Sequence, residues 1–206
     1  MYEKQTIRSV RNGRAGSAEG ETREALLEAA FHCAVRFGWQ RVRMSDVAAR
    51  AKVSRQTLYR HFRTKDGLAQ AVALREQDAF LEGFRQAFEA QDDLCEAVVA
   101  AVTWSLKHAE SHPLLSQAIE EPESGLLPYV TTRSAPLMIR SRLLGSELLV
   151  ALDPSIDPET LALLTDVITR EMFSHTIAPT EPVDVIAARL GTLAVRVVDG
   201  GKESAP

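Results

Sequence analysis

Between Met44 and Phe62 the chain holds two short amphipathic segments separated by a three-residue break, a pattern with few folded solutions. Val47, Ala48 and Ala51 give a first helix, over about 45–51, a small apolar face. Val53 supplies a plug in the turn, and Leu58 and Phe62, four apart, turn a second helix over 55–62 back to a core. Small side chains on the first helix let the second cross it closely, as a three- to four-residue turn requires. Ser54 stands where it can cap the second helix by accepting a backbone N–H. The expected element is a helix-turn-helix.

The charge distribution agrees with that element. The formal net charge is −4, but residues 1–65 carry 14 Lys and Arg against 6 Asp and Glu, and the remainder 10 against 22. A basic head on an acidic body suits a protein of which one end meets a polyanion.

The rest of the chain reads as helix, and no strand-like alternation of useful length occurs. Leu26, Leu27, Ala30, Phe31, Ala34 and Phe37 recur at helical spacing, with Gly38 as the stop. Further helices are expected over 65–90, with Thr64 as N-cap, then 93–110, 113–121, 124–131, 135–152, 158–177 and 182–198, Pro158 and Pro182 opening the last two. The fold class is all-α: an N-terminal three-helix unit over 21–66 joined to a C-terminal helical body over 67–200. Residues 1–20, with Arg8, Arg11 and Arg14, are expected to be a disordered basic arm, and 201–206 a tail.

The core does not use most of the second short helix. Arg55, Gln56 and Thr57 fall in its first turn, the part of a recognition helix that reaches base edges; Arg pairs with guanine, Gln with adenine, and the Thr methyl meets a thymine methyl. Tyr59, His61 and Lys65 are better matched to phosphates. Arg43, Ser45, Ser54 and Arg60 complete the candidate contacts to double-stranded DNA.

Leu26-Leu27-Glu28-Ala29-Ala30, Gly38-Trp39, Ser45-Asp46-Val47-Ala48 and the run Val53 to Leu68, with its Thr57-Leu58-Tyr59-Arg60-His61-Phe62-Arg63-Thr64-Lys65 core, resemble the TetR/AcrR family of regulators. The likeness covers about residues 22–70. It implies a homodimer of all-helical chains, an operator with two half-sites, repression as the usual mode, and a variable body that binds a small molecule and releases DNA. By position, Thr57, Tyr59, His61 and Lys65 match residues that contact DNA in that family. Two positions depart from its pattern. Arg43 stands where Ser or Thr usually caps the first helix of the motif, a cap worth about 1 kcal/mol. Lys52 stands where the turn usually has Gly, and a left-handed Lys costs about 1 kcal/mol relative to Gly. Both departures add positive charge beside the DNA-facing surface.

In the body, Phe80, Phe84, Phe88, Trp104, His108, Leu115, Ile119, Leu127, Tyr129 and Met138 lie on segments that, by the resemblance, surround an effector pocket. Trp104 with His108, and Tyr129 with Arg133, are four apart on their helices and can orient a polar group. The segment from His112-Pro113-Leu114-Leu115 to Glu120-Glu121-Pro122 resembles regulators of lipid-like effectors, so the expected effector is lipophilic, an acyl chain or a lactone. A DNA-binding regulator with no small-molecule effector is the other reading. Stripes of Leu161, Leu164, Ile168 and Met172, and of Ile186, Leu190, Leu193 and Val197, are expected to form a four-helix dimer interface about a two-fold axis.

No Gly-rich phosphate loop, Gly-x-Ser-x-Gly or metal cluster occurs, so an enzyme is not expected. His108 and His112 have ligand spacing, but no third ligand is evident; no metal or cofactor is expected. Cys33 and Cys95 read as small buried hydrophobes in a reducing compartment. Without an apolar run of about 18 residues or a secretion signal, the expected location is the cytoplasm, with no membrane partner.

Overall fold

The computed structural model describes the backbone of residues 2–121, 123 and 125–204, and side chains from Ala18 to Lys202 within that set. The elements are α1 (Tyr2–Phe37), a 3-10 turn (Trp39–Arg41), α2 (Met44–Arg50), α3 (Arg55–His61), α4 (Lys65–Glu89), α5 (Leu94–Ser111), α6 (Pro113–Glu120), α7 (Leu127–Val130), α8 (Ala135–Leu152), α9 (Pro158–Ile177) and α10 (Val183–Ser204). The fold is all-helical, with no strand among the described residues. None of their helices is long and apolar enough to cross a membrane.

The chain divides into two compact units, the first comprising residues 1–73 and 123–125, the second residues 74–122 and 126–206. The first unit therefore reaches beyond the expected limit at residue 66. Its extension has a physical reason: Leu68, Ala69 and Val72, in the opening turns of α4, are buried.

In the first unit α1 buries Leu26, Leu27, Ala30, Cys33 and Ala34 along one face. Burial pushes the Cys33 thiol above its usual pKa. The helix stops because Gly38 takes φ 74°, which L side chains avoid, while its N–H still bonds the Ala34 carbonyl at 2.9 Å. Phe37 is not part of this core. It is 45% exposed under the Arg36 guanidinium, 5.0 Å from the ring centroid, and Trp39 and Val42 supply the buried side chains just beyond it. The expected disordered arm over 1–20 has a helical backbone from Tyr2. Once the packed turns at 26–34 nucleate a helix, adding residues to its end fixes one residue per hydrogen bond, far easier than starting anew. The side chains of Arg8, Arg11 and Arg14 lie outside the described residues.

In the second unit α5 and α10 are in intimate contact. A Cβ on Gly191 would fall 2.9 Å from the Cys95 carbonyl oxygen and 2.7 Å from Val99 Cγ2, so only glycine allows α10 to lie this close. The core runs through Phe88, Ala97, Val98, Ala101, Val102, Leu148, Leu164, Ile186, Leu190 and Val198. Asp93 caps α5 by accepting from the Glu96 N–H at 3.0 Å, and Asp157 caps α9 by accepting from the Glu159 and Thr160 N–H groups, each at 3.0 Å. The expected tail beginning at 201 instead continues α10 to Ser204. Lys202 donates to Asp153 at 2.9 Å, and Gly201 lies so near Thr160 that a Cβ would overlap its Oγ1.

Candidate functional site

The helix-turn-helix is built as its residues dictate. Leu58 is fully buried, Val47 likewise, and Phe62 is 5% exposed, so α3 is pinned by its inner face. Ser54 accepts from the Thr57 N–H at 3.0 Å, capping α3, and its Oγ lies 2.9 Å from Thr57 Oγ1. The remaining face turns outward: Ser54, Arg55, Gln56, Tyr59 and Arg60 are exposed, as is Arg43 at the start of α2. Ser45, Thr57, His61 and Lys65 are half-buried. Ser45 donates to Asp46 Oδ1 at 3.3 Å. The His61 ring lies 6.3 Å from that of Phe62, with Nε2 buried and without a partner among the described residues.

Lys65 is held in a way its sequence position does not announce. Its ammonium donates to the Gln40 carbonyl at 2.9 Å and lies 5.6 Å from the centroid of the Trp39 ring. Burial pushes its pKa below the usual lysine value, with Asp66 acting in the opposite sense. One donor is thus fixed on the protein, leaving two for an anion. Trp39 and Gln40 are the residues that sequence reasoning left without a role. The Gly38-Trp39 pair was the available signal. Thr64 caps α4 as expected, accepting from the Gly67 N–H at 2.9 Å.

Both atypical positions have the geometry their residue types imply. Arg43 is the N-cap residue of α2 and makes no side-chain cap bond. Lys52 sits at φ 56°, in the left-handed region. Lys52→Gly is expected to raise thermal stability by about 1 kcal/mol. Combined with Arg43→Thr, it is expected to flatten the dependence of log DNA affinity on log salt, by about one unit for each phosphate no longer neutralised. Anisotropy titrations at several salt concentrations measure this, and an unchanged slope would mean that neither cation meets a phosphate.

In the second unit, an aromatic panel joins α4 and α5. The Phe80 ring centroid lies 5.6 Å from that of Trp104 and 5.9 Å from that of His108, and Trp104 stacks on His108 at 4.8 Å. The Trp104 indole lies across the backbone of α4 at Gly83, where a Cβ would overlap the ring at Cζ2. Phe84 is half-buried and stacks on Phe88 at 6.4 Å. Phe88 itself, 4% exposed, belongs to the core cluster, against which Phe80 and Phe84 also pack. Leu115, Ile119, Leu127 and Met138 are half-buried; Tyr129 is buried, with the Arg133 guanidinium 5.6 Å from its ring centroid. At the end of the panel His112 Nε2 lies 3.2 Å from Glu76, which also takes Arg75 at 2.6 Å. Glu76 is held below the usual carboxylate pKa because the His112 and Arg75 hydrogen bonds outweigh its burial, although burial is the largest single influence.

The stripes expected at a dimer seam divide in the single chain: Leu164, Met172, Ile186 and Leu190 are buried in its own core, while Leu161, Ile168, Leu193 and Val197 pack beside that core and stay half-buried. Amphipathic periodicity marks an apolar face without saying which chain covers it. Exposed large apolar side chains lie elsewhere in this unit: Ile139 at 49%, Leu143 at 66% and Val150 at 44% on α8, with Leu163 at 55% on α9. At their spacing, Ile139, Leu143 and Val150 share one face of α8. Beside it, Arg142 ties α8 to Asp166 of α9 at 2.8 Å.

Known proteins carry the same architecture. The family profile described as bacterial regulatory proteins of the tetR family matches residues 26–72, and that of the bacterial tetracyclin repressor C-terminal domain matches residues 93–196. The chain is 31% identical over 123 residues to the HTH-type transcriptional regulator AlkX of Mycobacterium tuberculosis, covering 58% of this chain and 57% of that protein. It is 39% identical over 82 residues to the HTH-type transcriptional activator FasR of Mycolicibacterium smegmatis, covering 40% of this chain and 37% of the relative. These matches thus span little more than half of the first relative's length and less of the second's. Among solved structures, the TetR family repressor AlkX from a Dietzia strain, described as implicated in biodegradation of n-alkanes, superposes with a TM-score of 0.72 at 27% identity. That likeness covers 86% of this chain and 97% of the Dietzia chain.

Proposed function

The chain belongs to the TetR family of bacterial transcription regulators, which are DNA-binding proteins and not enzymes, and from that premise we propose a ligand-released repressor acting as a homodimer on a near-palindromic operator. The observation that carries the reading is α3. It is capped by Ser54 and pinned by buried Leu58, and it presents Arg55, Gln56, Tyr59 and Arg60 to solvent. In a two-fold dimer two such helices about 34–36 Å apart enter successive major grooves. Chromatin mapping of bound sites followed by mobility shift on the recovered sequences tests this. Sites without two-fold symmetry would sink it. One relative bears the name of an activator, so a promoter reporter with and without the protein decides the sign of regulation.

The dimer is assigned to the exposed face of α8 together with the neighbouring surface of α9. Leu143→Glu, combined with Ile139→Glu, is expected to convert dimer to monomer in analytical ultracentrifugation and to weaken operator binding by about 100-fold or more, since a charge desolvated at an apolar seam is strongly unfavourable. The fold is expected to survive, because both side chains are about half or more exposed in the single chain. A double variant still dimeric at micromolar concentration would place the seam elsewhere.

The effector is assigned to the second unit, against the Phe80–Trp104–His108 panel, and to a lipophilic class of acyl-chain or lactone type. Supporting this are the apolar panel itself and the biodegradation of n-alkanes in which the Dietzia repressor is implicated. Its binding acts through α4, which supplies Lys65 to Ala73 to the first unit and Leu74 onward to the second. A ligand binding one conformation better shifts the population by its differential affinity.

A further inference from the structure

Gln77 lies one turn before Phe80 on α4 and is 8% exposed. Its amide orientation is fixed by a partner from α8. Nε2 donates to the Leu137 carbonyl at 2.7 Å and to Ser141 Oγ at 3.1 Å. A carbonyl only accepts, so the NH2 end must face Leu137 and Oε1 must face away from it. That Oε1 is buried and accepts no hydrogen bond from any described residue. Ser105, adjacent to Trp104 on α5, is fully buried, and its Oγ is likewise without a partner among the described residues. Ser105 and His108, three apart, share one side of α5, and His112 is the residue just past its end. Two buried oxygens without a partner among the described residues thus belong to residues within one turn of Phe80 and Trp104, and such groups are rare in folded chains without a reason.

We propose that the effector is an apolar molecule ending in an uncharged hydroxyl, which donates to Gln77 Oε1 while the apolar part lies along Phe80 and Trp104. The proposal rests on the lipophilic-effector reading above and replaces its acyl or lactone end, which offers acceptors alone, with a hydroxyl donor. An alkane leaves Oε1 unsatisfied. A carboxylate sets an anionic oxygen against a carbonyl oxygen. The charged groups at the end of the panel do not rescue a carboxylate, because Arg75 and His112 are both engaged with Glu76. Burial, reinforced by the neighbouring His112, holds the His108 pKa below its usual value, which disfavours the imidazolium that a carboxylate would pair with.

Calorimetric titration of the 206-residue chain with decan-1-ol, decane, decanoate and 1-methoxydecane tests the proposal. Decan-1-ol is expected to bind about tenfold more tightly than decane or decanoate. The methyl ether, which cannot donate, is expected to bind no better than decane. Gln77→Met, close in shape but without the amide, is expected to bind decan-1-ol and decane within about twofold of each other. A preference for decanoate, equal binding of ether and alcohol, or an alcohol preference that survives Gln77→Met overturns the hydroxyl assignment while leaving a lipophilic effector intact. If none of the four binds the wild-type chain, the effector-responsive reading fails as well. The ether comparison uses the unaltered protein and holds even if Gln77→Met does not fold.

Discussion

Leu164→Ala is expected to lower the unfolding free energy by about 2–5 kcal/mol while leaving the dimer dissociation constant unchanged. The magnitude follows from position. Leu164 has no exposed surface and lies in a core cluster that includes Val98, Leu148, Ile186 and Leu190. Removing its isobutyl group gives up the transfer free energy of the missing carbons and leaves a cavity that rigid helices close only in part. Had the α9 stripe formed the seam between subunits, the same substitution would act first on association. Urea titration gives the stability change, and sedimentation equilibrium of the folded protein gives the dissociation constant. A dimer weakened tenfold with little change in stability would return the α9 stripe to the interface.

The second large effect is expected on α3. Gln56→Ala and Arg55→Ala each remove a candidate base contact worth about 1–3 kcal/mol, and a homodimer loses it in both half-sites. Operator affinity is therefore expected to fall by about 30-fold or more for either variant. The two differ on a scrambled duplex. Gln56→Ala leaves non-specific binding nearly unchanged, whereas Arg55→Ala weakens it and flattens its salt dependence, because only Arg55 carries charge. Neither should alter the melting temperature appreciably. Both side chains are exposed, and α3 is held by Leu58, Phe62 and the Ser54 cap. Anisotropy titrations on the two duplexes at one salt concentration separate these outcomes. Equal losses on operator and scrambled DNA for Gln56→Ala would remove that residue from base readout.

The substitutions at Arg43 and Lys52 bear on the same surface. The backbone shows that the turn tolerates a left-handed lysine and that α2 begins without a side-chain cap. Two local concessions of about 1 kcal/mol each are offset only if Arg43 and Lys52 meet phosphates, which the salt titration tests. That head is the basic part of the chain, while the residues after 65 carry 22 Asp and Glu against 10 Lys and Arg.

What the sequence by itself determined is local. The helices over 135–152 and 158–177 have the bounds expected of them, with Pro158 opening the second. The Ser54 and Thr64 caps need only residues three positions away. The outward face of α3 follows from which two positions, Leu58 and Phe62, the core requires. Such signals act within one or two turns, so a linear reading can find them. The tertiary structure decided which apolar faces meet, and there the periodicity was silent. It put Leu164, Met172, Ile186 and Leu190 of the α9 and α10 stripes into the chain's own core and left Ile139, Leu143 and Leu163 outside. It packed Phe88 into the core cluster, laid Trp104 across Gly83 and seated Lys65 on Gln40. It also turned the Gln77 carbonyl away from Leu137, a partner sixty residues on. Each of these depends on contacts between side chains far apart in sequence, whose energies compete only once the helices are packed.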